Sequence, residues 1–148
     1  LTLVEEPADD PRNAAALCAA CDLAYLPADA GAAAFRQELG LEATLVCADN
    51  TQAYLAQNAE HVVVAFRGSE NPASLDGLKD WLLTNALNLL VVPEGKLSTD
   101  FLAAGVGAKF HQGFVFAVTD VWDELFPLVE AEAKAKDRGL WVTGHSLG

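Results

Sequence analysis

The sequence ends in Leu140-Trp141-Val142-Thr143-Gly144-His145-Ser146-Leu147-Gly148, an apolar run followed by a glycine-rich segment. The run over 140–143 predicts a short buried strand, and the residues after it match the pattern Gly-x-Ser-x-Gly. In that pattern the strand ends in a sharp turn, and the serine at its apex has a strained backbone angle. Glycines two positions before and after the serine leave room for the chain to approach itself. The segment therefore predicts a turn that lifts the Ser146 hydroxyl above one end of a sheet.

A long amphipathic helix is predicted over 113–138, directly before this strand. Pro127 lies within the helix and is expected to bend or divide it, and Gly139 is a typical C-terminal stop. A strand at 61–66, this helix and the strand at 140–143 form a strand–helix–strand crossover, which makes the two strands parallel. The apolar stripe of the helix consists of Phe114, Val118, Val121, Trp122, Leu125 and Val129.

Three short runs rich in strand-forming residues occupy 43–48, 52–57 and 61–66, with turn signals between them. The third run is continuously apolar, which is typical of a strand buried on both faces. We predict an antiparallel pair of strands that leads into a central strand. The fold class is therefore α/β, with helices packed on a mostly parallel sheet.

The beginning of the sequence predicts an acidic arm followed by a helix. Residues 1–12 carry acidic side chains and two prolines and have no core of their own, so we assign 13–148 to the N-terminal part of a single domain. Asn13 is a suitable N-cap for a helix over about 14–25, and Pro27 is expected to end it.

Composition and charge exclude several function classes. Hydrophobic residues make up 52% and charged residues 20% of the 148 residues, as in a globular chain. The apolar stretches are too short and interrupted to predict a transmembrane segment. The chain has nine Lys and Arg and 21 Asp and Glu, which gives a net charge of −12. Because nucleic acid binding needs a basic surface, we expect no nucleic acid partner. Nothing in the composition indicates an oligomeric state.

Ser146 is a candidate nucleophile. A serine hydroxyl needs a histidine base held by a carboxylate, and it needs two backbone N–H groups for the oxyanion. The pattern assigns one oxyanion donor to Leu147, and the other is expected in the loop that begins at Arg67. No metal or cofactor is needed for this chemistry. The alternative is a glycine-rich turn of purely structural origin.

None of the three histidines is a strong candidate for the base. His145 precedes the serine, and in such a turn it points away from the attack site. His111 opens the long helix, where a capping or core role is favoured. His61 starts the central strand at the end opposite the expected site.

Four ordered segments of the chain resemble the class 3 lipases, the fungal-lipase-like branch of the α/β-hydrolases. The resemblance implies an α/β-hydrolase fold in which Ser146 accepts the acyl group. It also implies that the backbone N–H groups of Ser69 and Leu147 bind the oxyanion. The segments are Val64-Ala65-Phe66-Arg67-Gly68-Ser69, Asp80-Trp81-Leu82-Leu83-Thr84-Asn85, His111-Gln112-Gly113-Phe114 and 142–148.

The resemblance further implies a lid in the segment that follows Ser69. Trp81, Leu82 and Leu83 are its candidate lipid-contacting residues, and a short helix packed on the sheet is the alternative for them. The implied activity is that of a carboxylic-ester hydrolase that cleaves acylglycerol-type esters, with an ester or lipid substrate met at a lipid–water interface. Phospholipase and acyltransferase variants of the same fold are alternatives.

The chain departs from the family pattern in one respect. In this fold the acid and the base follow the nucleophile, so we expect the triad Asp and His beyond residue 148 and interpret the chain as the N-terminal half of a hydrolase. A non-catalytic binding module on an incomplete scaffold is the alternative. The family is often secreted, which favours an extracellular location.

Overall fold

Helices cover both faces of a mixed sheet in the structure, which is a computed structural model. It describes residues 1–48, 51–68, 90–91, 109–146 and 148. The helices are α1 (Pro11–Leu23), α2 (Ala28–Ala34) and α3 (Gln112–Val129), and π-helical turns extend α2 over Phe35–Leu39 and α3 over Glu130–Lys134. The strands are β1 (Glu42–Ala48), β2 (Thr51–Gln57), β3 (His61–Phe66), β4 (Leu90–Val91), β5 (Phe110–His111) and β6 (Gly139–Gly144).

The main sheet has the strand order β1-β2-β3-β6. Strands β1, β2 and β3 pair antiparallel, and β3 pairs parallel with β6, so both predicted arrangements are confirmed. The described sheet is nevertheless mixed and not mostly parallel as the sequence analysis expected. Its antiparallel part arises because a tight turn joins β2 to β3, and parallel strands require a long crossover. Asn58 builds that turn by accepting hydrogen bonds from the N–H groups of Glu60 and His61.

Strand β3 is the centre of the core, as its apolar run predicts. Val63 and Ala65 pack into the cluster on the α1 side of the sheet, and Val62 and Val64 pack into the cluster on the α3 side. All four side chains are buried. The prediction of a strand that is covered on both faces is therefore confirmed.

Within the described part of the chain, strand β6 is covered on one face only, which corrects the prediction of a buried strand. Trp141 faces the α1 side, and its indole N–H donates to Nδ1 of the buried His61 over 3.3 Å. On the other face, Leu140 and Val142 are 47% and 63% exposed. They are exposed because α3 packs mainly over β1 and β2.

Helix α1 begins at Pro11, earlier than the predicted start near residue 14. Asp10 is the N-cap, and its carboxylate accepts from the Arg12 N–H over 2.8 Å. The fixed φ of proline suits the first helical turn, which explains the start. Hydrogen bonds from Arg12 also lower the pKa of Asp10 to about 2. Asn13 is therefore not the cap. It is buried within the helix, and its side-chain amide accepts from the Val4 N–H and donates to the Val4 carbonyl oxygen.

Helix α3 starts at Gln112, one residue before its predicted start, and continues through Pro127 to Val129, so the proline does not divide it. The π-helical turn that follows ends at Lys134, short of the predicted end at 138. Val121 and Leu125 form its buried stripe. Phe114 was predicted to join that stripe but is 46% exposed.

The contact between α2 and β2 gives a stability test. Gly31 lies inside α2, and a Cβ atom there would overlap the ring of the fully buried Tyr54. Helix propensity alone would make Gly31→Ala stabilising by about 1 kcal/mol. We expect it to destabilise the protein by about 1–3 kcal/mol, because overpacking of a buried site dominates.

The matched control is Ala33→Gly at an exposed position of the same helix, which should cost about 1 kcal/mol. Both free energies of unfolding can be measured by urea denaturation. A rise in stability for Gly31→Ala would contradict the close packing of α2 on β2.

Candidate active site

The carboxyl ends of β3 and β6 lie side by side, because the parallel register pairs Phe66 with Gly144. The segments that leave these two strands therefore start from the same edge of the sheet. In α/β proteins, ligands bind at this edge, outside the carboxyl ends of the strands. Ser146 lies there and is exposed.

Ser146 is at the apex of a tight turn. The N–H of Gly148 donates to the carbonyl oxygen of His145 over 3.0 Å, which closes the turn around the serine. The φ angle of Ser146 is 62°, in the left-handed region that costs a non-glycine residue about 1–2 kcal/mol. Strain of this kind persists where the surroundings impose it and is concentrated at functional sites.

Two glycines make this turn possible. A Cβ atom on Gly144 would overlap the carbonyl group of Gly148, so the chain approaches itself as the pattern predicted. A Cβ atom on Gly148 would overlap the carbonyl oxygen of Phe66 and lie 2.9 Å from the backbone nitrogen of Gly68. The turn is thus packed main chain to main chain against the end of β3.

Gly68 brings the loop after β3 into the same contact. A Cβ atom there would overlap the carbonyl oxygen of His145 and lie 3.2 Å from Cβ of Ser146. The two predicted oxyanion donors, Ser69 and Leu147, lie outside the described residues. Gly68 is a functional candidate that was not predicted from the sequence, although it lies within the segment Val64-Ala65-Phe66-Arg67-Gly68-Ser69 that resembles the class 3 lipases.

Tyr25 joins the site from the end of α1. Its hydroxyl lies 2.9 Å from Nδ1 of His145, and the two rings meet edge to face. The next residue, Leu26, is fixed because its carbonyl oxygen accepts from the Tyr54 hydroxyl over 2.9 Å. Burial, with a contribution from Asp29, raises the pKa of Tyr54, so this hydroxyl stays protonated and donates.

Each histidine of the sequence has a structural hydrogen bond. His61 accepts from Trp141, His111 caps α3 by accepting from the Gly113 N–H over 3.2 Å, and His145 bonds Tyr25. The capping role predicted for His111 is confirmed. Of the three, only His145 is adjacent to Ser146 in the sequence, and its Nδ1 is already occupied by Tyr25.

The candidate lid residues Trp81, Leu82 and Leu83 lie outside the described residues. Within the part of the chain that the structure describes, no helix is long and apolar enough to cross a membrane. The same part contains no group of three or more His, Cys, Asp or Glu side chains arranged to hold a metal ion.

A comparison with known protein families finds a match that includes this part of the chain. The family model for lipase (class 3) matches residues 63–148, which is more than half of the chain. The chain belongs to the class 3 lipase family. The match extends from the central strand β3 to Gly148, so it contains the loop at Gly68 and the Ser146 turn. No curated protein matches the chain.

Membership of the class 3 lipases confirms the resemblance found in the sequence. It implies an α/β-hydrolase fold, which agrees with the helices and mixed sheet described above. It also suggests the activity of a lipid ester hydrolase.

The backbone strain at Ser146 gives a prediction that needs no substrate. Glycine adopts a φ near 62° without steric cost, whereas alanine does not. We therefore expect Ser146→Gly to be more stable than Ser146→Ala by about 1 kcal/mol, measured by urea denaturation of both variants. Equal stabilities would contradict the left-handed conformation. Thr143→Gly and Thr143→Ala, within β6, serve as the control pair, and there the glycine variant should be the less stable one by about 0.5–1 kcal/mol.

Proposed function

We propose that this class 3 lipase hydrolyses carboxylic esters of the acylglycerol type through an acyl-enzyme on Ser146. One observation carries the proposal. Ser146 has a strained left-handed backbone in a glycine-packed turn at the carboxyl end of β6, next to the loop that follows β3. A turn built in this way presents a hydroxyl to solvent while the main chain around it stays fixed.

The proposed reaction has two acyl-transfer steps. Oγ of Ser146 attacks the ester carbonyl carbon, and the hydroxyl proton passes to a histidine base. The tetrahedral intermediate collapses, the base protonates the leaving alcohol, and the acyl group stays on the serine. Water then attacks the acyl-enzyme with the help of the same base and releases the carboxylic acid. No cofactor or metal takes part in these steps.

The negative charge of each intermediate develops on the former carbonyl oxygen. We assign its stabilisation to the backbone N–H groups of Leu147 and Ser69. Leu147 follows the nucleophile directly, and Ser69 follows Gly68, which contacts the Ser146 turn. Each such donor contributes about 10²–10³-fold to the rate.

The base and its carboxylate belong, in this proposal, to residues beyond 148. The three histidines at hand support this assignment because each has a structural partner. Trp81, Leu82 and Leu83 would line the lid over an apolar acyl chain. Acyl transfer to an alcohol in place of water would use the same nucleophile, and so would the cleavage of phospholipids.

A fluorophosphonate probe tests the nucleophile directly. We expect the Ser146 hydroxyl to displace fluoride, so the peptide of the full-length protein that contains Ser146 should gain the mass of one probe molecule less hydrogen fluoride. We also expect hydrolysis of p-nitrophenyl esters and of emulsified triacylglycerol. Ser146→Ala should abolish labelling and lower kcat by at least about 10⁴-fold.

The control is Thr119→Val, which removes an exposed hydroxyl that donates to the Val115 carbonyl oxygen of its own helix. This variant should label and turn over like the wild type. A wild-type protein that binds lipid but neither labels nor hydrolyses esters would contradict the proposal and favour a binding module.

If Ser69 binds the oxyanion through its backbone N–H, loss of its side chain should lower kcat much less than loss of the Ser146 hydroxyl. Ser69→Ala keeps the backbone N–H and removes only the hydroxyl, so kcat should fall by less than about 10²-fold, the lower limit for the loss of an oxyanion donor. Esterase kinetics of Ser69→Ala beside Ser146→Ala measure this difference. An equal loss in the two variants would contradict a role through the backbone of Ser69.

A further inference from the structure

We propose that Tyr25 and His145 form a positioning pair that fixes the Ser146 turn against the loop after β3. The inference rests on the proposed function, since it assigns these residues to the support of the same nucleophile. Neither residue exchanges a proton with substrate in this account. The Tyr25 hydroxyl bonds the His145 ring, and this bond holds the His145 main chain, which leads directly into Ser146.

Three separate parts of the chain meet at the Tyr25 hydroxyl. It lies 2.9 Å from Nδ1 of His145, in the turn after β6. It also lies 2.6 Å from the position that a Cβ atom on Gly68 would occupy, in the loop after β3. Tyr25 itself follows α1. One side chain therefore contacts both segments that would carry the nucleophile and the oxyanion donors.

His145 is held at both its main chain and its side chain. Its carbonyl oxygen accepts from the N–H of Gly148, and its ring bonds Tyr25. The next residue, Ser146, has the left-handed φ of 62°, which persists only when its surroundings impose it. The Tyr25 bond restricts the peptide unit that leads into this strained residue, so it limits where the Ser146 hydroxyl can move.

Tyr25 is a suitable anchor because a hydrogen bond at the next residue, Leu26, fixes its own position. The carbonyl oxygen of the adjacent Leu26 accepts from the buried Tyr54 hydroxyl, which ties the end of α1 to β2. The Ser146 turn is therefore connected through Tyr25 to the centre of the sheet as well as through its own strand.

Loss of this support should act on the chemical step. Nucleophilic attack needs the reacting atoms about 3–3.5 Å apart and aligned, and a displacement of about 1 Å can reduce the rate about 10²-fold. We expect Tyr25→Phe, which keeps the ring and removes the hydroxyl, to lower kcat about tenfold with KM unchanged. A tenfold loss in kcat corresponds to about 1.4 kcal/mol in the barrier.

The experiment uses the full-length protein and a matched control. Thr143→Val also removes a hydroxyl that joins α1 to β6, since Thr143 Oγ1 lies 3.0 Å from Cys21 Sγ. That hydroxyl bonds Cys21 and the Leu17 carbonyl of α1, not the His145 ring, so kcat should stay within twofold of the wild type. If both variants lose kcat equally, the effect is general loosening of α1 on β6, and the positioning role is overturned.

A conservative exchange and a double variant separate the bond from the ring. His145→Gln retains a side chain that can bond the Tyr25 hydroxyl, so it should keep more of kcat than His145→Ala. Tyr25→Phe combined with His145→Ala should lose no more than His145→Ala alone, because the two residues act as one unit. Losses that multiply in the double variant would overturn the pair.

A spectroscopic readout distinguishes failure of the pair from failure of the proposed function. The ¹⁵N resonance of His145 Nδ1 should shift in Tyr25→Phe and stay unchanged in Thr143→Val. An active enzyme in which this resonance does not respond to Tyr25→Phe would overturn the pair alone. A wild type with no Ser146-dependent turnover would overturn the proposed function, and with it the kinetic role of Tyr25.

Discussion

Close contact between two lengths of main chain is the constraint on which the rest of the site depends. The turn around Ser146 packs against the end of β3 without side chains between them, and this contact is possible only because Gly68, Gly144 and Gly148 lack a Cβ atom. Glycine loses much conformational entropy on folding, so three such positions in one contact are stabilised only by a rigid framework. The parallel register of β3 and β6 provides that framework, because it brings the ends of both strands to one edge.

The strength of this framework comes from the way β3 is buried. It lies between β2 and β6, and helices cover both of its faces, so the strand that supports the turn is the most protected element of the described sheet. Strand β6 differs, because one of its faces carries the exposed Leu140 and Val142. The Ser146 turn therefore gains its fixed position mainly from the β3 side and from α1, through Tyr25.

The sequence predicted the features of the site that depend on local chemistry. A Gly-x-Ser-x-Gly pattern after an apolar run specifies a tight turn, and the continuously apolar run over 61–66 specifies a buried strand. The crossover between them fixes the parallel pair. The sequence did not predict the start of α1, because Pro11 and Asp10 form a stronger helix start than Asn13 does. It also overestimated the parallel part of the sheet, since pairing depends on loop geometry as well as on apolar pattern.

Contacts between distant parts of the chain were beyond sequence reasoning for a physical reason. Tyr25 and His145 are separated by 120 residues, and nothing in either local pattern indicates that their side chains meet. The same holds for Gly68, which looks like an ordinary loop glycine until the Ser146 turn is placed against it. Such contacts follow from the register of the sheet, which the sequence specifies only as a whole.

The central claim is that Ser146 carries the acyl group during turnover. Rapid quenching of the full-length protein with an ester substrate, followed by mass spectrometry of its peptides, tests this most directly. We expect the peptide that contains Ser146 to carry one acyl group in place of its hydroxyl proton, and this acylated peptide should appear before the free acid accumulates. Ester hydrolysis with no acylated peptide, or with the acyl group on another residue, would contradict it.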